Sequence, residues 1–366
     1  MRISDAKKVV KDMLVNLPNM VICLEGESGI GKSDILRQAA EELEIGYFPL
    51  YSQALEGPDF MGLVEKDLEK GVTRYLAPDF LPTENAVREG LFPEEGLLVL
   101  EEWNRADTQT IHVLFPLLQD RRVNRHYIAP GWRMAVAMNP DTSAYTTNVI
   151  DVAGLDRVVK LTVETHIEDY TNYNLSLGTG NYDRDVLEYL NVHPEMLIAK
   201  DVDGSGKTPR PRAWSRVQLL RLRSPLCAKE TPLSLELVAG CVGPAAAGGF
   251  WGYLRDRTVK PIPAAEVLAG KNFASIEERV KQLLDKGRLD VLTLTVRELV
   301  HMITPNHKKL SVVEDFIMLL PREVVVMFCK LLHVQQPAAS LKYLHGWPKL
   351  REIAKYAIQE VVCDAS

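Results

Sequence analysis

A three-layer α/β domain built on a parallel sheet, followed by all-helical regions, is the fold class the sequence predicts, and three observations predict it. Across the first 160 of 366 residues, short apolar runs alternate with helix-like stretches, the pattern of a parallel sheet covered by helices. A glycine-rich segment, residues 26–33, lies between the first apolar run and the first helix-like stretch. Beyond Thr165 the strand signals fade and helical periodicity takes over.

In chain order, Val21-Ile22-Cys23-Leu24 predicts the first strand, and residues 47–50, 97–100, 134–138 and 158–163 predict four more. Residues 33–43 predict a helix with Ile35, Leu36, Ala39, Ala40 and Leu43 on one face. Ile111, Leu114, Phe115 and Leu118 mark another between the third and fourth strands. Helices are then expected over 183–190, 212–222, 233–242 and 245–255, with a polar, glycine-bearing loop at 201–207. Lys260-Pro261-Ile262-Pro263 reads as a stiff linker. After it, residues 276–284, 292–302, 312–319, 322–332 and 350–362 read as amphipathic helices. The expected organisation is an α/β domain over 1–166, a helical domain over 167–258 and a helical extension over 259–366.

Composition narrows the function classes. Hydrophobic residues at 46% and charged residues at 25% exclude wholesale disorder. A net charge of −6 makes the protein a poor phosphate-backbone binder. Up to residue 258 there are 28 basic against 37 acidic residues, and after it 15 against 12, too even to point to a nucleic acid. Five scattered cysteines (Cys23, Cys227, Cys241, Cys329, Cys363) form no CxxC pair and read as free thiols in a reducing compartment. The eight histidines show no HExxH and no cluster with cysteine, so no zinc site is expected. The charged amphipathic start reads as no signal peptide, and a cytoplasmic location is expected. Residues 237–254 are uncharged, but five glycines, four alanines and Pro244 argue against a membrane span. Two short buried helices meeting closely at the glycines are expected there instead.

The strongest chemical signal is Gly26-Glu27-Ser28-Gly29-Ile30-Gly31-Lys32-Ser33, which matches GxxxxGK[ST] in full between a strand and a helix. The glycines let backbone N–H groups turn inward around a phosphate. Lys32 can reach the β- and γ-phosphates of a nucleotide, and the Ser33 hydroxyl can hold Mg²⁺. Gly204-Ser205-Gly206-Lys207-Thr208 is a decoy: Asp201 stands where the first glycine is needed, no apolar strand leads in, and a surface loop is expected.

Leu97-Leu98-Val99-Leu100 runs into Glu101-Glu102, placing two carboxylates at the end of a buried strand, where ligands of parallel sheets bind. ATP hydrolysis needs such a pair, one acid on the Mg²⁺ side and one to polarise water. Glu101 takes the metal side and Glu102 the catalytic base. Ala135-Val136-Ala137-Met138 ends in Asn139-Pro140, so a neutral amide can orient the nucleophilic water. Alone, Asn-Pro reads as a turn opener.

With these motifs the chain resembles the AAA+ ATPases, and within them the MoxR-like and dynein-related branch of bacteria and their phages. The resemblance rests on the phosphate loop, on Glu101-Glu102-Trp103-Asn104-Arg105-Ala106 and on Asn139-Pro140. It extends through residues 75–82, Leu155-Asp156-Arg157 and Pro211-Arg212-Ala213-Trp214, covering about residues 20–256. It implies an AAA+ domain over 1–166 and a helical lid over 167–258, binding Mg²⁺-ATP between subunits of a hexameric ring to remodel a protein client. A partner carrying a von Willebrand factor A domain is the client it implies. It also makes Arg157 the arginine finger reaching a neighbouring subunit's γ-phosphate, and Arg212 the lid's sensor 2. A surface Arg157 paired with Asp156 stays open, as do Arg210 in place of Arg212 and a solvated patch of Lys207, Arg210, Arg212 and Arg216. Arg121, Arg122 and Arg125 are either a solvated basic turn or, as the resemblance implies, part of an inserted hairpin facing the ring's pore or client. The main departure from the branch is Glu101 where aspartate is usual, which puts the hydrolysis rate in question. Two other classes remain: a nucleic-acid motor or loader, which the acidic pI of 5.8 disfavours, and a nucleotide-gated scaffold with slow turnover.

Overall fold

The computed structural model describes residues 1–141, 147–199, 206–304 and 310–364. Two compact units divide the chain, residues 1–166 and 167–366. The first runs α1 (Ile3–Asn16), β1 (Ile22–Glu25), α2 (Lys32–Glu42), β2 (Gly46–Tyr51), α3 (Gly57–Met61), β3 (Leu63–Asp67), β4 (Val72–Leu76), α4 (Glu84–Arg88) and β5 (Gly96–Glu101). It continues through α5 (Thr108–Asp120), β6 (Arg122–Val123), β7 (His126–Tyr127), β8 (Trp132–Met138), α6 (Val152–Leu155) and β9 (Val159–Thr162).

Five of these strands form one parallel sheet in the order β2-β5-β8-β1-β9, the expected α/β class. Its central strands are apolar throughout because alternate residues enter two different cores. Leu97, Val99, Ile22, Leu24 and Ala135 pack with the buried faces of α1 and α2. Leu98, Leu100, Cys23, Met134 and Val136 pack on the opposite face with Ile111, Leu114, Leu117 and Leu118 of α5. Each strand boundary falls within two residues of its expected position. Two antiparallel hairpins, β3–β4 and β6–β7, stand outside the sheet.

The second unit is helical: α7 (Ile167–Ser176), α8 (Arg184–Val192), α9 (Pro211–Arg223), α10 (Pro232–Val242), α11 (Pro244–Asp256), α12 (Ala264–Ala269) and α13 (Phe273–Asp285). Then come α14 (Leu289–Met302), α15 (Leu310–Met318), α16 (Arg322–Gln335), α17 (Pro337–Gly346) and α18 (Arg351–Asp364). Two hydrophobic clusters fill it, one centred on Trp214, Tyr189 and Phe250 and one on Phe316, Phe328 and Trp347. Helix α14 serves both, since Leu294 enters the first and Leu292, Val296 and Leu299 the second. Its Glu298, 3% exposed, pairs with Arg184 and accepts from Tyr182 at 3.2 Å.

Two expectations change here. Residues 260–263 are no free linker, because Ile262 is fully buried and its carbonyl accepts from Thr295 at 2.7 Å. Residues 237–254 do form two helices, which break at Gly243 with φ of 88°. They do not meet at the glycines, since a side chain at Gly240 or Gly248 would touch nothing within 4 Å. The loop over 201–207 falls largely outside the described residues, as does the side chain of Cys363; Cys23, Cys227, Cys241 and Cys329 are free thiols. Among the described residues, no helix is long and apolar enough to cross a membrane.

Candidate nucleotide-binding site

The segment from Gly26 to Ser33 leaves the carboxyl end of β1 and enters α2 at Lys32. Gly26 must be glycine: a Cβ there would stand 2.6 Å from Ile30 Cδ1 and 2.7 Å from the Val163 carbonyl. Gly31 sits at φ of 106°, which side chains rarely adopt, and caps α2 without a side-chain hydrogen bond. The first turn of α2 therefore presents N–H groups and the positive end of its dipole to an anion. Lys32 Nζ folds over the loop, donating to the carbonyls of Gly26 (2.7 Å) and Glu27 (3.0 Å) and to Asn139 Oδ1 (3.1 Å). These acceptors hold an ammonium where phosphate oxygens would otherwise satisfy it.

Glu101 ends β5 and is 5% exposed. Burial raises its carboxyl above the usual range, opposed by a hydrogen bond with Ser33, the Lys32 charge and a hydrogen bond from Tyr47. The Tyr47 hydroxyl, carried by the neighbouring strand β2, lies 3.4 Å from Glu101 Oε1 and 3.4 Å from the Ser33 carbonyl. Its own proton is held more tightly than usual, by burial first and then by the adjacent Glu101. Lys32, Ser33, Tyr47 and Glu101 thus converge from three elements on one spot.

The next residue turns the other way. Glu102 adopts φ of 54° and ψ of 41°, a left-handed conformation costly for a side chain with a Cβ. Fully buried Trp103 anchors the turn that follows. The inversion sends Glu101 inward and leaves Glu102 partly exposed, paired with Arg105 at 3.2 Å. Asn139, one residue beyond β8, is 3% exposed, and among the described residues its Nδ2 has no hydrogen-bond partner. Asn104 donates from Nδ2 to the Asn139 carbonyl at 2.7 Å and accepts from the Asn139 N–H at 3.3 Å.

The structure brings Lys32, Ser33, Glu101 and Asn139 together, with Glu102 next in the chain. It does not bring Arg157 to them. Arg157 precedes the amino end of β9, whereas the phosphate loop follows the carboxyl end of β1, paired in parallel with β9. At about 3.3 Å per residue, the strand alone separates them by roughly 13 Å. Arg157 stacks 4.7 Å from the Phe115 ring and donates to the Ala153 carbonyl, so it is not the Asp156 partner left open from the sequence. Arg121 is no solvated basic residue either. It caps α5 and donates to the carbonyls of Trp132, Ala129 (3.4 Å) and Pro18 (3.5 Å), while burial lowers its pKa. Arg122 opens β6, and Arg125 lies in the turn to β7. In the helical unit, Arg212 is exposed on the first turn of α9, and Arg210 just before it donates to Thr208 at 3.2 Å. Tyr47 and the contacts of Asn104 and Arg105 had no sequence reading. Asn104 and Arg105 lie inside a recognised motif, but no local signal marks Tyr47.

Residues 21–153, about a third of the chain, match the family profile of the AAA domain, dynein-related subfamily. Among solved structures, the chain is similar to a "putative ATPase" from Cytophaga hutchinsonii at 17% identity and a TM-score of 0.31. That match covers 44% of this chain and 46% of the other, so this chain spans less than half the length of the solved one. No curated protein matches. Over residues 21–153, then, the chain is similar to the AAA domain of the dynein-related subfamily.

Proposed function

We propose that this protein is a MoxR-like AAA+ ATPase that binds Mg²⁺-ATP between subunits of a hexameric ring and uses hydrolysis to remodel a protein client. The observation that carries the proposal is the convergence of Lys32, Ser33, Glu101 and Asn139 at the carboxyl ends of β1, β5 and β8, with Glu102 next to Glu101. Loop N–H groups from Gly26 to Ser33 cradle the phosphates and Lys32 opposes their charge. Ser33 and Glu101 would hold Mg²⁺, which when bound neutralises charge on the β- and γ-phosphates. Glu102 leaves Arg105 to accept the proton of the attacking water. The Nδ2 of Asn139 orients that water, a role its burial suits because the donor has no other partner among the described residues.

The sheet's polarity supports a finger acting between subunits, since Arg157 lies too far from its own phosphate loop. Arg212 would approach the nucleotide from a lid over 167–258. A cation in the first turn of α9 opposes the helix dipole, so the helix gains nothing from it there. Residues 259–366 serve as an interaction module, and the client is a protein, a von Willebrand factor A domain by resemblance. The free thiols suit a cytoplasmic setting.

The test is nucleotide affinity and phosphate release side by side. Lys32→Ala should abolish binding. Glu102→Gln should bind normally and lose turnover by roughly two to four powers of ten. Unchanged affinity in Lys32→Ala would remove the assignment of the loop. A second reading, a nucleotide-gated scaffold with slow turnover, is favoured by Glu101 standing where aspartate is usual and by Glu102 resting on Arg105. Glu101→Asp separates the two: a large gain in turnover identifies the wild type as the slow scaffold.

A further inference from the structure

We propose that Asn104 is a positioning residue that sets the Asn139 amide by extending the sheet with its side chain. The inference rests on the reading of Asn139 as the water-orienting amide. Backbone pairing along β8 stops short of Asn139: the ladder with β5 ends at Glu101 and Ala137, and that with β1 at Glu25 and Met138. The Asn139 N–H and C=O would be left without strand partners in a site where Asn139 is 3% exposed. Asn104 supplies both, with its Nδ2 on the carbonyl at 2.7 Å and its Oδ1 on the N–H at 3.3 Å. An amide side chain carries an acceptor and a donor on separate atoms, so it can replace a neighbouring strand; aspartate and leucine cannot.

The clamp is itself held. Asn104 is 3% exposed, its carbonyl accepts from the Asn148 N–H at 2.7 Å, and Asn148 Nδ2 donates to the Ala106 carbonyl at 2.7 Å. Asn104 follows the acid pair by two residues, so one rigid turn carries Glu102 and fixes Asn139. The base and the orienting amide are thereby set to a common frame. Main-chain fixation leaves the Asn139 side chain to its own work: Oδ1 accepts from Lys32 at 3.1 Å, and Nδ2 has no partner among the described residues. Displacements of an ångström at such a site can cost about a hundredfold in rate.

The experiment measures kcat, KM and nucleotide affinity for wild type, Asn104→Ala, Asn139→Ala and the double variant in the full-length protein. Asn104→Ala should lower kcat by roughly 10- to 100-fold with nucleotide affinity unchanged, and that retained affinity also reports a folded site. The double variant should be no slower than Asn139→Ala alone, because the clamp acts only through the amide that variant has removed. Multiplicative losses, or equal effects on affinity and kcat, would make Asn104 merely structural and overturn the inference. If Asn139→Ala turns over normally, the reading of Asn139 fails and the inference with it. Normal turnover in Asn104→Ala beside a slow Asn139→Ala defeats the inference alone. Should Asn104→Ala not fold, Asn104→Gln keeps both groups one methylene out of place and should show the same fall in kcat without loss of affinity.

Discussion

At the carboxyl end of β5 the chain buries one carboxylate and leaves its neighbour partly exposed, so the two acids meet opposite electrostatic conditions. Burial raises the Glu101 carboxyl, and the native state therefore binds that proton more tightly than the unfolded chain does. The sign follows. Below the unfolded value of about 4.3 both states are protonated and burial costs nothing. As pH rises from there through the raised folded value, the unfolded chain ionises more readily and native stability is lost. Glu101→Gln should therefore melt higher than wild type in nucleotide-free protein near pH 7.5, with the gap closing as pH falls toward 4.5. Thermal midpoints across that range check it, and a gap independent of pH would contradict it. Saturating Mg²⁺ and nucleotide should favour wild type instead, since a metal needs the ionised carboxylate.

Helix α5 shows how an element's end can carry stability where its charge suggests an exposed role. The helix stops at Arg121 in a left-handed conformation, and the same side chain then ties three carbonyls, one after α1 and two at the entry to β8. Arg121→Ala should cost about 2–3 kcal/mol, because buried carbonyls lose a charged donor. Arg122→Ala should stay within about 0.5 kcal/mol, as its partner Asp120 is 3.5 Å away on an exposed surface. Denaturant titrations distinguish the two, and equal effects would return Arg121 to a solvated role. The sequence could not separate these arginines, since the carbonyls that hold Arg121 lie 8 to 103 residues away. Parallel strands buried on both faces were legible because they leave continuous apolar runs. The β3–β4 hairpin was not, since Leu63, Val64, Val72 and Leu76 are all exposed and main-chain pairing with one Arg74–Asp67 ion pair defines it. The site divides the same way: the phosphate loop and the acid pair are contiguous in sequence, while Tyr47 and the Asn104 clamp exist only once β2, β5 and β8 are side by side.

For the whole molecule, the polarity of the sheet makes a prediction about assembly. Arg157 and the phosphate loop lie at opposite ends of paired strands β9 and β1, so one chain cannot use both on one nucleotide. Arg157→Ala should accordingly bind ATP nearly normally and hydrolyse it poorly, the lost charge mattering most in the transition state. Its packing on Phe115 is worth only about 0.5–1 kcal/mol, so the variant should stay folded. Lys32→Ala should be inactive through the other half of the proposed shared site. Co-expressing the two variants should create interfaces where an intact loop faces an intact Arg157. Random assortment of equal amounts places that combination at about a quarter of the interfaces of a closed ring. Turnover should return toward that fraction of wild type, provided native mass measurement confirms mixed rings. An arginine acting within its own chain gives no rescue, because every Arg157→Ala subunit stays broken at its own site. Confirmed mixed rings without recovered turnover would therefore strike Arg157 from the site. Arg105 would then be the next candidate, because Arg121 is already committed to the carbonyls of Trp132, Ala129 and Pro18.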